Sequence, residues 1–104
     1  MKRGEVWWAR LSPPAGPRPV VLVSRDEAYE HRQFVMVGPV TTRVRGISSE
    51  VGLGPEDGLP RPCVANLDSL VTIAKARLDE RICELSSSKL AALDDALRYA
   101  LGLR

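Results

Sequence analysis

The 104-residue chain has few of the residues that build metal centres and disulfide frameworks, with only two cysteines and one histidine. A zinc site takes four ligands, usually from cysteine and histidine, and these three residues include no CxxC pair. Cys63 and Cys83 each have apolar neighbours, and a free cysteine packs as a small apolar residue, so we expect two buried structural thiols. The sequence therefore predicts no metal site, and no cofactor is expected.

Long hydrophobic runs are also missing. The longest, from Pro19 to Val23, is far shorter than the roughly 20 residues that cross a bilayer. No apolar segment of the kind found in a signal peptide follows Met1-Lys2-Arg3. We therefore expect one cytoplasmic domain over residues 1–104, long enough to bury a core without disulfides or metals.

The chain has little net charge, because 15 Lys and Arg stand against 13 Asp and Glu to leave a formal charge of +2. That value identifies no nucleic-acid binder by itself, so the positions of the arginines matter more. His31 stands alone in a polar segment and cannot be both the acid and the base of a two-histidine nuclease, so we expect it to be exposed. Carboxylates occur as adjacent pairs such as Asp94 and Asp95. Adjacent side chains do not point at one site, which excludes a glycosidase-type or metal-binding pair.

What the chain does contain is a series of short segments, separated by proline and glycine, that predict strands. They cover residues 5–10, 19–24, 34–41, 47–51, 63–67 and 70–74. Gly38-Pro39 indicates a bulge or a sheet edge, because proline donates no ladder hydrogen bond. Trp7 and Trp8 alternate across the first strand, so one is expected in the core, and the other could stack a base or anchor a protein at the surface.

The last segment changes to a helical period. Ser86 or Ser87 can cap its N-terminus, and Gly102 stands where a C-terminal glycine belongs. The apolar residues that share one helix face are Leu90, Leu93, Leu97, Ala100 and Leu101. Strands followed by one terminal helix predict a mainly β fold, a small curled antiparallel sheet or barrel with the helix packed against it.

Arginine and threonine side chains collect around the second and third predicted strands. Arg18 precedes the buried part of the second strand and Arg25 follows that strand. The residues that end or follow the third strand are Thr41, Thr42, Arg43 and Arg45. If these strands pair, guanidinium groups and hydroxyls come together as donors that match phosphate oxygens. The alternative is that they are solvated loop arginines and turn threonines.

Five segments, taken in order, resemble the MazF/PemK (Kid) toxin family over nearly the whole chain. They are Arg3-Gly4-Glu5-Val6-Trp7, Arg18-Pro19-Val20-Val21-Leu22-Val23-Ser24-Arg25-Asp26, Val37-Gly38-Pro39-Val40-Thr41-Thr42, Val64-Ala65-Asn66-Leu67-Asp68-Ser69-Leu70-Val71-Thr72-Ile73, and the closing stretch from Arg77-Leu78 to Ala96-Leu97-Arg98-Tyr99-Ala100-Leu101-Gly102-Leu103. The resemblance implies an SH3-like barrel with a C-terminal helix. It also implies a homodimeric, metal-independent endoribonuclease that cuts single-stranded RNA and is inhibited by a cognate MazE-like antitoxin.

The same resemblance implies which residues act. The family's catalytic pair falls on Arg18 and Thr41. The implied reaction is attack of the ribose 2′-hydroxyl on the adjacent phosphate, which leaves a 2′,3′-cyclic phosphate and a 5′-hydroxyl. The expected RNA contacts around the pair are Arg25, Asp26, Thr42, Arg43 and Arg45.

The chain departs from common family members in two places. The loop from Leu11 to Pro17 is short and rich in proline, and Arg25 stands where many relatives have asparagine. Both differences bear on which RNA sequence is cut. Two other functions stay open on the sequence: a CcdB-like gyrase poison of the same fold, which needs no phosphate-cleaving pair, and an inert SH3-like adaptor.

Overall fold

A computed structural model describes residues 1–104 as seven strands, two α-helices and three 3-10 turns. The strands are β1 Glu5–Arg10, β2 Pro17–Leu22, β3 Phe34–Thr41, β4 Glu50–Leu53, β5 Cys63–Asn66, β6 Val71–Ala74 and β7 Leu78–Glu84. The helices are α1 Ala28–His31 and α2 Ser87–Leu101, and the 3-10 turns are Pro55–Asp57, Leu67–Ser69 and Lys75–Arg77. Neither helix is long and apolar enough to span a membrane.

All strand pairs are antiparallel and form one sheet in the order β4-β5-β3-β2-β1-β7, with β6 paired to β3. Strand β3 lies at its centre. One of its edges pairs with β2, and the other pairs with β6 through residues 34–37 and with β5 through residues 40–41. Because β3 changes partner along one edge, the sheet curls. The predicted mainly β architecture with a C-terminal helix is confirmed.

The Gly38-Pro39 pair marks neither a bulge nor an edge, so that prediction is wrong. Strand β3 is central, and its register with β2 runs unbroken through Val21–Gly38 and Val20–Pro39. The pair instead lies where the other edge of β3 exchanges β6 for β5. A Cβ atom on residue 38 would sit 3.0 Å from Leu67 Cδ1, so glycine allows the turn at Leu67 to pack closely on the strand.

Alternation along the strands gives the sheet two buried faces. One face packs on α1, and its α1-side core consists of Ala9, Val20, Leu22, Ala28, Tyr29, Val35, Val37, Ile73 and Leu78. The other face packs on α2, and its α2-side core consists of Val6, Val21, Val23, Val40, Val51, Leu53, Leu59, Cys63, Ala65, Leu67, Leu85, Leu93 and Ala96. Neighbouring residues of β2 and β3 therefore face different cores, which decides where their polar side chains emerge.

Both predicted ends of helix α2 are confirmed. Ser86 is the N-cap, and its hydroxyl oxygen accepts a hydrogen bond from Lys89 N at 3.2 Å. Gly102 ends the helix with φ +69°, and its N–H donates to the carbonyls of Arg98 and Tyr99. The polar stretch after β2 forms one helical turn, α1.

Strand β7 was not predicted from the sequence. It is an edge strand that pairs only with β1, and Asp79, Glu80 and Arg81 are exposed on it. Charged side chains on an edge strand oppose pairing with other chains. They also remove the apolar alternation by which a strand is recognised. Strand β4 begins at Glu50 rather than at Ile47, because Glu50 N closes a turn onto Ile47 O at 3.0 Å.

A buried carboxylate joins β1 to β7. Glu5 is only 5% exposed, and its oxygens accept hydrogen bonds from Lys2 N at 2.9 Å, Trp7 Nε1 at 3.0 Å and Arg81 Nη1 at 3.1 Å. Burial alone would raise the pKa of Glu5, but these hydrogen bonds outweigh it and hold the pKa below its ordinary value. The carboxylate is therefore ionised at neutral pH and fastens the edge strand.

Candidate active site

Arg18 and Thr41 lie on one face of the sheet, at the end where β2 begins and β3 finishes. The register pairs Val20 with Pro39, and one more step of two residues along each strand puts Arg18 opposite Thr41. Steps of two residues keep side chains on the same face, which here is the face of the α1-side core. The expectation that pairing of these strands brings the two side chains together is confirmed.

This end of the sheet opens into a cleft of about 770 Å³. Its polar and basic lining consists of Ser12, Arg18, Thr41, Arg43, Arg45, Asn66, Ser69, Thr72 and Arg77. Its apolar wall consists of Leu11, Ala15, Phe34, Pro39, Val71, Ile73 and Ala74. No carboxylate and no imidazole lines the cleft. Phe34 is the aromatic residue of the lining, and it is exposed. A cationic groove with an exposed aromatic side chain is typical of sites that hold a single-stranded nucleic acid.

The Arg18 guanidinium lacks a full set of hydrogen bonds. Its Nη2 donates to Ala15 O at 3.3 Å, whereas its Nε is buried without any partner. A buried donor left unpaired costs about 1–3 kcal/mol. Oxyanions bind the guanidinium fork through parallel N–H donors, so a phosphate oxygen is the kind of acceptor that would satisfy this atom. The free protein thus holds a donor ready for an anion.

The Thr41 hydroxyl is oriented by the turn that follows it. Its Oγ1 accepts a hydrogen bond from Arg43 N at 3.1 Å. With one acceptor position of the oxygen occupied by the backbone, the hydroxyl proton remains available for a ligand in the cleft. Thr41 can therefore act as a neutral donor beside the Arg18 cation.

Glu50 holds the turn that carries Arg43 and Arg45. Its carboxylate accepts hydrogen bonds from Arg45 N at 3.1 Å and from Gly46 N at 2.9 Å. The two arginine side chains are both exposed and both line the cleft. The carboxylate binds the backbone of the turn and forms no ion pair with either guanidinium, so their positive charge stays available.

The four cleft arginines are Arg18, Arg43, Arg45 and Arg77, and none of them forms an ion pair with a carboxylate. Arg77 was not among the predicted site residues, and neither was Asn66 at the end of β5. The Arg77 Nη1 donates to Arg10 O at 2.9 Å, which holds its side chain across the start of the β1–β2 loop. Their positions in the sequence were the available signal: Asn66 lies near the end of the predicted strand over residues 63–67, and Arg77 follows the predicted strand over residues 70–74.

The structure separates the other predicted contacts from the pair. Arg18 is the second residue of β2, which rises roughly 3.3 Å per residue and ends at Leu22, and Arg25 follows three residues beyond that far end. Arg25 pairs with Glu27 at 2.6 Å, and Asp26 accepts a hydrogen bond from Arg3 N at 2.7 Å. The expectation that Arg25 and Asp26 flank the catalytic pair is therefore wrong, and their contact with RNA stays a prediction.

Thr42 is also absent from the cleft. Because it follows Thr41 directly, it faces the opposite side of the sheet end, where it lines a second, smaller depression. Arg43 and Arg45 are the predicted RNA contacts that the structure does bring into the cleft beside the pair.

The remaining titratable side chains lie elsewhere. His31 is exposed, 3.7 Å from the carboxylate of Glu30. Cys63 is buried and Cys83 half-buried, and burial raises the pKa of both thiols, so they are protonated at neutral pH. No three His, Cys, Asp or Glu side chains come close enough together to hold a metal ion.

A curled antiparallel sheet, a terminal helix and a carboxylate-free basic cleft at the sheet end define a small mainly β protein whose cleft suits an anionic ligand. The model of the PemK-like, MazF-like toxins of type II toxin–antitoxin systems matches residues 2–101. The chain therefore belongs to the PemK-like, MazF-like toxin family.

Relatives of this chain include named nucleases. It is 41% identical over 100 residues to a probable endoribonuclease MazF5 of Mycobacterium tuberculosis, covering 95% of this chain and 91% of that protein. Among solved structures, the Mycobacterium tuberculosis toxin MazF-mt6 superposes with a TM-score of 0.89 at 33% identity, covering 96% of this chain and 98% of the toxin. A mycobacterial endoribonuclease in complex with its cognate antitoxin gives 0.88 at 29% identity, covering 100% and 97%.

Proposed function

We propose that this chain is a toxin endoribonuclease that cleaves single-stranded RNA, with Arg18 and Thr41 as its catalytic pair. The observation that carries the proposal is that Arg18, whose Nε is buried without a partner, lines a carboxylate-free cleft together with Thr41. The names of the relatives, which are endoribonucleases, support the activity.

The reaction is an internal transesterification. The ribose 2′-oxygen forms a bond to the adjacent phosphorus while the bond from phosphorus to the 5′-oxygen of the next nucleotide breaks. The 2′-hydroxyl loses its proton and the departing 5′-oxygen gains one, so the products are a 2′,3′-cyclic phosphate and a 5′-hydroxyl. Negative charge builds up on the phosphoryl oxygens in the five-coordinate transition state, and donors aimed at that charge lower the barrier.

Arg18 and Thr41 supply these donors in different ways. The Arg18 guanidinium neutralises charge on the phosphoryl oxygens, and its free Nε gains the acceptor that it lacks in the free protein. The Thr41 hydroxyl adds a hydrogen bond to the same group. A guanidinium offers hydrogen-bond donors and no acceptor, so Arg18 can donate a hydrogen bond to the leaving oxygen.

The rest of the cleft binds the strand. Arg43 and Arg45 contact the backbone phosphates, and Phe34 and Val71 form an apolar surface for bases. The structure of a relative with its cognate antitoxin supports a similar control here, in which a MazE-like antitoxin covers the cleft and competes with RNA. The toxin acts in the cytoplasm as a homodimer, which lengthens the RNA groove without lengthening the chain.

The proposal is tested by mapping the cut ends on a long single-stranded RNA in the presence of EDTA. We expect discrete cuts with 2′,3′-cyclic phosphate and 5′-hydroxyl ends, and none from Arg18→Ala that has retained its fold. Arg98→Ala removes an equal charge from helix α2 and serves as the control. RNA left intact by folded wild-type protein would contradict the proposal, and stalled gyrase complexes beside that intact RNA would favour a gyrase poison.

A further inference from the structure

A second depression, of about 190 Å³, lies on the other face of the sheet at the same strand ends as the cleft. Trp8 and Pro19 are cross-strand partners in β1 and β2, and both line it. They alternate with Ala9 and Arg18, so they face the α2-side core rather than the cleft. We call this depression the Trp8 pocket.

The Trp8 pocket has the chemistry of a stacking site. The indole of Trp8 is 40% exposed although tryptophan is usually well buried. Pro19 and Pro60 lie around it, Arg61 adds a cation, and no carboxylate is present in the lining. Nucleobases stack on aromatic faces whatever their sequence, and a nearby arginine strengthens the contact.

The Trp8 pocket and the cleft share one lining residue. Thr41, the last residue of β3, lines both cavities, whereas Thr42 lines only the Trp8 pocket. A strand whose phosphate sits between Arg18 and Thr41 can therefore bring a neighbouring base toward the Trp8 pocket by turning around the end of β3. The shared residue favours nucleic acid over an acidic protein segment, and the positive charge favours it over an apolar one.

We propose that the Trp8 pocket is a nucleobase subsite that receives, by stacking on the indole, the base of a nucleotide next to the scissile phosphate. This inference rests on the proposed function, because it places one more nucleotide of the same RNA. It gives the chain a contact to the substrate on each face of the sheet, with the chemistry on one face and an additional base-binding site on the other.

The test uses a short single-stranded RNA that contains the mapped cut site, with a 2′-O-methyl group at the attacking ribose to prevent cleavage. Binding to wild type, Trp8→Ala and Trp8→Phe is measured by anisotropy of the labelled RNA, together with quenching of tryptophan fluorescence. Because a stacked base contributes about 1–3 kcal/mol, Trp8→Ala should weaken binding roughly 5- to 150-fold. Trp8→Phe keeps an aromatic face and should retain most of the affinity. Tyr99→Ala, which removes an exposed aromatic ring from helix α2, should bind as wild type does.

Two further RNAs, each with an abasic nucleotide on one side of the cut site, distinguish the loss of base stacking from misfolding of the protein variant. One of the two abasic RNAs should bind wild type as weakly as intact RNA binds Trp8→Ala, and the two changes together should cost no more than either alone. Additive losses, or full affinity in Trp8→Ala, would overturn the subsite and assign the pocket to a protein partner. RNA that binds neither wild type nor any variant would instead contradict the proposed function.

Discussion

The two ends of strand β2 hold arginines in opposite electrostatic settings. At the end that contains Arg18, the four cleft arginines share one cavity and none pairs with a carboxylate. At the other end, Arg25 pairs with Glu27 at 2.6 Å and Arg3 pairs with Asp94 of helix α2 at 2.7 Å. One end thus concentrates positive charge, and the other neutralises it residue by residue.

This difference separates the residues that hold the fold from the residues that we propose act on the substrate. Paired arginines and carboxylates fasten elements to one another, as Arg3 does between the start of the chain and α2, or Arg81 between β7 and β1. Unpaired arginines repel each other and lower stability, and they persist where a ligand supplies the missing charge. A near-neutral chain can therefore present a strongly basic cleft.

Removal of Arg18 gives the largest expected effect. Loss of one donor to the transition-state oxyanion costs about 100- to 1000-fold in kcat, so Arg18→Ala should cleave RNA at least that much more slowly in single-turnover assays. Its melting temperature should not fall, because the variant also loses the buried, unpaired Nε. Arg98 forms an ion pair with Asp95 on helix α2, outside the cleft, so Arg98→Ala should change the cleavage rate less than about twofold. Equal falls in the cleavage rate of the two variants would mean that the unpaired arginines of the cleft contribute no more to cleavage than arginines in ion pairs.

The buried carboxylate of Glu5 gives the next largest effect, on stability rather than cleavage. Glu5→Gln keeps the shape but loses the charge that Arg81 and Trp7 face, so the free energy of unfolding should fall by about 1–3 kcal/mol at pH 7. Since the pKa of Glu5 is lowered by folding, its contribution is present above about pH 4.5 and is lost as the pH falls through the folded value.

Urea denaturation at pH 7 and at pH 3.5 measures that change. The difference in the free energy of unfolding between wild type and Glu5→Gln should become smaller at the lower pH. The cleavage rate per folded molecule should stay the same. A gap that does not depend on pH would mean that the ionised form of Glu5 contributes nothing to the junction of β1 and β7.

Arg43→Ala and Arg45→Ala should weaken RNA binding without changing the chemistry. Each is expected to bind single-stranded RNA a few-fold more weakly at physiological salt. Each should also lower the slope of log affinity against log salt by about 0.7, because one fewer phosphate is neutralised. Titrations at several salt concentrations, with Arg98→Ala as the reference, measure the slope. An unchanged slope would place these two side chains outside the RNA path.

Glu50→Gln gives the smallest effect and tests how the turn is held. Arg45 N and Gly46 N both donate to Oε1, so the amide oxygen can still accept both, but the negative charge and the second contact of Arg45 N with Oε2 are lost. We expect KM to rise two- to fivefold, by order of magnitude, with kcat nearly constant, because the turn positions arginines that bind the substrate. A fall in kcat at constant KM would instead tie Glu50 to the placement of Thr41.

Much of the fold followed from local patterns in the sequence. The cap at Ser86, the glycine at 102 and the leucine period predict α2 because helix ends and faces are decided by neighbours in the chain. Strands β2 and β3 were predicted as two apolar runs of strand length, and their pairing was left as a condition that the structure meets. Strand β7 could not be recognised in the sequence because its consecutive exposed charged residues interrupt the alternation of apolar and polar residues.

The site was only partly predictable, because it depends on distances across the sheet. Arg18 and Thr41 could be placed together from strand pairing, but Arg25 was grouped with them by closeness in sequence, and the length of β2 separates them. Arg77 and Phe34 reach the cleft only because β3 pairs with β6 and the sheet curls. No local pattern encodes that curl.

The register between β2 and β3 also decides when the chain can become active. A slip of one residue would turn Arg18 toward the α2-side core, away from Thr41, since successive side chains of a strand point to opposite faces. The proposed catalytic pair therefore does not assemble in the unfolded or misregistered chain, even though its arginines are close together in sequence. A newly made molecule stays harmless to RNA until the centre of its sheet has closed, so toxicity begins only with the finished fold.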